Sequence, residues 1–168
     1  MKHLVQHNIQ LLQQLSEVVV QLKEFEYKSS LDIYFGASIG QHTRHILSFF
    51  DCLLKGYDSG ELCFDKRVRD KAIEQNSEAA KDEINRIIKR ISNIEEDKKI
   101  VFLSIMNGSK STTSTTVIRE LLYTIEHSVH HLAMIRMGVH HNFPHIKLPA
   151  NFGVAQSTIA YQEKKCAQ

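Results

Sequence analysis

The chain has 168 residues, the length of one domain, and a hydrophobic fraction of 42%, enough for an ordinary core. Charged residues make up 24% and the formal net charge is only +2, which argues against a nucleic-acid partner. Two prolines and no tryptophan favour helices over a turn-rich β fold, and ten histidines are the compositional outlier.

The first helical pattern runs from about His3 to Glu24. Leu4, Ile9, Leu11, Leu12, Leu15, Val18, Val19 and Leu22 recur at helical rather than alternating spacing. The start Met1-Lys-His-Leu-Val-Gln-His-Asn8 lacks the continuous apolar stretch of a signal peptide, and no segment is long enough to span a bilayer. A second helix begins at Ser38, where Ser38 and Gln41 have the spacing of a capping box. It continues to Lys55 and is expected to stop at Gly56. A third covers Asp70 to Asn93, with Ile73, Ala80, Ile84, Ile87, Ile88 and Ile91 on one side and charges on the other. Lys99–Gly108 reads as a short strand turning at Asn107-Gly108. The run Ser109-Lys-Ser-Thr-Thr-Ser-Thr-Thr116 reads as a loop that supplies the N-cap of a fourth helix, Thr116 to Gly138. The tail beyond it, with Pro144, Pro149 and Gly153, reads as irregular.

Four amphipathic helices without a linker or repeat imply an all-α, four-helix bundle. It would form a single domain over 1–168, with its core at about 3–140 and an irregular tail at 141–168. Cys52, Cys63 and Cys166 form no C-x-x-C pair and give no disulfide framework. A reducing cytoplasm, with no membrane partner, is the corresponding expectation.

His127 and His131 stand at i and i+4 in Glu120-Leu-Leu-Tyr-Thr-Ile-Glu-His-Ser-Val-His-His131, so both imidazoles point the same way and can grip one ion. At about 100° per residue they lie about 140–180° from the centre of the stripe Ile118, Leu121, Leu122, Ile125, Val129 and Leu132. They therefore face solvent or line a separate cleft. His130 points about 100° away from His131 and cannot share an ion with His127. A third ligand must come from elsewhere, and the second helix offers His42 and His45; spacing alone does not choose between them. An H-x-x-x-H by itself carries little information in a chain this rich in histidine. A zincin reading fails because Ser128, not Glu, follows His127. Cys52 and Cys63 read as core or loop residues, although Cys52 lies two turns beyond His45. Tyr27 and Tyr34 read as packing residues. Asp65-Lys-Arg-Val-Arg-Asp-Lys71 reads as a solvated helix entrance whose basic residues, if they flank a cleft, can attract a carboxylate.

Two segments carry a family resemblance. Ser38-Ile-Gly-Gln-His-Thr-Arg-His45 resembles the second-helix segment of the DinB family (DinB/YfiT-like metalloenzymes), where a Ser-Val/Ile start is followed seven residues later by a histidine ligand. Glu126-His-Ser-Val-His-His131 resembles the family's last-helix segment. The resemblance covers about residues 5–140. It implies a bundle that holds a divalent transition metal, zinc or nickel, through His45, His127 and His131. Characterised relatives include thiol S-transferases, a thiol-dependent isomerase and the metal-binding domain of ergothioneine-forming enzymes. The implied partners are a small-molecule substrate and a low-molecular-weight thiol, and a homodimer is plausible for amphipathic helices of this length. Many members follow the last histidine with Arg-Gly-Gln; this chain has Leu132-Ala-Met134, which changes the expected pocket lining.

Three neutral imidazoles leave a divalent ion charged and open to a further ligand. Such a centre can bind a thiol and lower its pKa, or activate water for hydrolysis. The expected activity is thiol transfer to a small electrophile. The alternatives are a metal-dependent hydrolase, a non-enzymatic metal-binding or stress-response protein, and a helical interaction module. A ligand histidine normally donates its second N–H to an acceptor, for which Asp32, Asp51 and Glu120 are candidates. Neither Glu126 nor Glu120 stands out as a general base.

Overall fold

The computed structural model describes residues 1–166. In chain order these form α1 (Lys2–Val19), α2 (Glu24–Lys28), α3 (Ile39–Ser59), β1 (Glu61–Leu62), α4 (Lys71–Gln75), α5 (Ser77–Ile91), β2 (Lys99–Met106), β3 (Ser109–Thr116), α6 (Val117–Asn142) and α7 (Gln156–Cys166). Short 3-10 turns cover Asp32–Tyr34 and Phe64–Lys66. Helices α1 and α3 each pack against both α5 and α6. Their apolar faces meet in one cluster that includes Leu12, Leu15, Phe50, Leu53, Ile84, Ile87, Leu121 and Leu132. No described helix is long and apolar enough to cross a membrane.

The all-α expectation is overturned by a three-stranded mixed sheet in the order β1-β2-β3. Strands β2 and β3 pair antiparallel over eight positions, from Lys99↔Thr116 to Met106↔Ser109. The cause is local. Asn107 (φ 50°) and Gly108 (φ 78°) both adopt positive φ, and such a two-residue turn matches the twist of the strands it joins. The Ser/Thr run that reads as a loop therefore folds back as a strand, for which its β-branched threonines are well suited. Strand β1 adds in parallel through Glu61↔Val101 and Leu62↔Phe102.

Other boundaries move for identifiable reasons. Helix α3 passes through Gly56, which is buried against Leu62, and ends at Gly60 in the left-handed conformation (φ 78°). Only half of the expected capping box forms: Ser38 Oγ accepts from Gln41 N at 3.1 Å. The third predicted helix is split at Asn76, whose extended backbone ends α4 and whose side chain caps α5 through Ala79 N at 3.0 Å. Helix α6 continues past Gly138 to Asn142, and the tail carries α7. Leu122, assigned to the apolar stripe of α6, is exposed.

Candidate metal centre

Two helix starts aim the histidines. Ser38 caps α3, and Thr116 Oγ1 caps α6 by accepting from Arg119 N at 3.3 Å. Gly138 lets the buried Tyr34 approach α6 closely, so that its hydroxyl donates to Met134 O at 2.6 Å. The ring of Tyr34 stands edge-on to His42, 4.7 Å between centroids. Helices α3 and α6 are thereby held side by side, with His45 on one and His127 and His131 on the other.

His45, His127 and His131 each offer a ring nitrogen, and these atoms all lie within 4.8 Å of one another. His45 Nε2 and His127 Nε2 are 2.9 Å apart. Two nitrogens bound to one ion at about 2.0–2.1 Å stand about 3 Å apart, so the His45–His127 pair has the separation that a shared transition metal requires. All three side chains are half-buried, and no other group of three metal-ligating side chains occurs among the described residues. His42 lies outside the trio but touches it: its Nδ1 is 3.1 Å from Nδ1 of His131. One of those two nitrogens must carry the proton. His130, as its angular position predicts, is exposed and outside the cluster.

Burial is the main cause that depresses all three pKa values, with contributions from neighbouring histidines. His45 and His127 fall to about 4 and His131 to about 3. The Arg67 guanidinium adds to the effect at His45 and His127. The imidazoles are therefore neutral at pH 7, the form in which they bind metals. In an unfolded chain they would titrate near about 6.5. Above that pH both states are neutral and the shifts leave stability unchanged. As pH falls from about 6.5 towards 4, the unfolded chain takes up about three protons that the folded chain refuses, so stability falls. The melting temperature of metal-free protein should drop between pH 7 and pH 4.5. A His127→Gln/His131→Gln double variant should drop less, and equal slopes would contradict the assignment.

The carboxylates considered as partners go elsewhere. Asp51 pairs with Lys55 and Arg86, Glu120 accepts from Thr115 Oγ1 at 2.6 Å and from Arg119, and neither they nor Asp32 hydrogen-bonds a cluster histidine. Cys52 is outside the cluster, and burial pushes its thiol up to about 11.

A cavity of about 720 Å³ lies beside the centre, between α6, the end of the 3-10 turn and the β2–β3 hairpin. The histidines do not line it. Phe49 and Tyr123 form the shared wall, with ring centroids 3.9 and 5.7 Å from that of His127. Both had a legible signal, since Phe49 is four residues after His45 and Tyr123 four before His127, hence on the same helix faces. The hairpin residues of the lining had none, because their strand was read as a loop. Asp65 and Arg67, read as a solvated entrance, are also part of the lining.

Comparison with protein-family models, curated proteins and solved structures finds no match to this chain.

Proposed function

We propose that this chain is a metal-dependent enzyme of the DinB/YfiT-like type, which transfers a low-molecular-weight thiol to a small electrophile. The observation that carries the reading is the convergence of His45, His127 and His131 from two helices into one set of neutral ring nitrogens. A bound zinc or nickel ion would supply a Lewis-acidic position at which a thiol loses its proton at neutral pH. The protein's own part is threefold. The three imidazoles hold the ion while leaving it positively charged. Next, His42 Nδ1 stands 3.1 Å from His131 Nδ1, and with the proton of that contact on His131, its Nε2 is free for the ion. Finally, Phe49 and Tyr123 shield one side of the centre from water. The cavity on the far side of the Phe49–Tyr123 wall supports the enzyme reading, since an enzyme needs room for a substrate near its centre.

Cobalt-loaded protein titrated with a low-molecular-weight thiol should develop sulfur-to-cobalt charge-transfer absorption. The zinc or nickel form should then consume thiol and electrophile in equal amounts. Hydrolysis of activated esters without thiol binding would replace transfer with the hydrolase reading. A loaded protein that binds no thiol and turns over neither substrate would end the enzyme reading altogether.

A further inference from the structure

The lining of the cavity beside the centre carries a guanidinium without an ion-pair partner. Four charged side chains line it: Asp65, Arg67, Arg119 and Glu120. Three of them are committed. Glu120, almost fully buried, is paired with Arg119 at 3.0 Å and accepts from Thr115. Asp65 accepts from the backbone N–H of Ile105 at 2.8 Å. Arg67 differs. It forms no ion pair among the described residues, and the one hydrogen bond of its side chain runs from Nη1 to the carbonyl of Phe64 at 2.8 Å. Its Nε is buried without a partner. A half-buried guanidinium without an ion-pair partner is costly in isolation, and a carboxylate is the group its planar fork suits best.

The surroundings define the rest of the ligand. The guanidinium lies over the Phe49 ring, 5.0 Å from its centroid. Phe49 stacks on Phe64 at 4.7 Å, and Tyr123 and Phe102 lie 5.4 and 6.0 Å from Phe64. Rings in mutual contact make an apolar wall against which a flat body can lie. The volume of about 720 Å³ falls within the range of small-molecule sites.

From the unpaired Arg67 and the aromatic wall, we infer that this cavity binds small carboxylates with a flat, apolar body, the carboxylate on Arg67 and the body against the wall of Phe49, Phe64, Phe102 and Tyr123. Its assignment as the substrate's subsite rests on the metal-enzyme reading above, because Phe49 and Tyr123 separate it from His127; the binding itself does not.

The test uses the full chain, metal-free and zinc-loaded, titrated calorimetrically with phenylacetate, 2-naphthoate and the neutral phenylacetamide. Both acids should bind, and phenylacetate at least about tenfold more tightly than phenylacetamide, a difference on the scale of one charge-assisted hydrogen bond. Arg67→Gln should bring the acid down to the amide's level. Arg67→Lys, which keeps the charge but loses the fork, should fall between them. Equal affinity of acid and amide for the wild-type chain would overturn the inference without any variant. So would acids that fail to saturate below about 10 mM. Acid binding that needs zinc, is lost in His127→Ala and is untouched in Arg67→Gln would also overturn it, by placing the carboxylate on the metal. Acid binding by the metal-free chain that depends on Arg67 would uphold it even if the metal reading fails.

Discussion

Wild-type protein incubated with zinc or nickel should retain about one equivalent of metal, and His127→Ala should retain essentially none. Three nitrogens on two helices converge within 4.8 Å, and the 2.9 Å approach of His45 to His127 makes this pair the core of the donor set. Removing one of three protein ligands should weaken affinity by more than about a hundredfold, the upper end of what losing an outer partner costs. His42→Ala provides that milder comparison. It removes the side chain 3.1 Å from His131 and should weaken affinity by about ten- to a hundredfold, with His42→Gln, whose amide oxygen can accept the same N–H, closer to wild type. Elemental analysis and competition with a chromophoric chelator would measure the series. Equal metal content in wild type and His127→Ala, or none in either, would remove the ligand assignment.

Gly40→Ala should destabilise the protein by about 2 kcal/mol or more, against the usual preference of helices for alanine. In an unobstructed helix the change would gain about 1 kcal/mol. Here a Cβ on Gly40 would overlap the backbone oxygen of Glu74 and lie 2.8 Å from the ring of Tyr27. The first obstacle is main chain, so α4 itself must move; the second is a fully buried tyrosine whose hydroxyl donates to Ile73 O at 2.7 Å. Overpacking of this kind typically costs about 1–3 kcal/mol and occasionally more, which exceeds the propensity gain. For a domain of this size the melting temperature should fall by roughly 4–8 °C. Urea denaturation followed by circular dichroism would check it, and a stabilised variant would show that α3 and α4 are not in this contact.

Four long helical segments were legible because each buries one face, and the spacing of apolar residues records that face directly. The same arithmetic placed His127 and His131 together and His130 apart. The hairpin was half legible: Asn107-Gly108 marked the turn, but the polar run after it concealed a strand, since β3 is mostly exposed and has no apolar alternation to reveal it. Glycines misled at two places. Gly56 and Gly138 read as helix ends, yet each sits inside its helix because Leu62 and Tyr34 pack closely against it. Local sequence cannot distinguish a glycine that ends a helix from one that admits a neighbour.

The sequence by itself determined which residues share a helix face, because helical geometry depends only on spacing along the chain: His127 with His131, Tyr123 with His127, and Phe49 with His45. Only the tertiary structure decided what those faces meet. It brought His45 into the trio, set His42 behind His131, and drew Arg67 from an apparently solvated run into an aromatic cavity closed by the hairpin. These are contacts between residues tens of positions apart. They depend on how helices and strands pack against one another, which no local periodicity encodes.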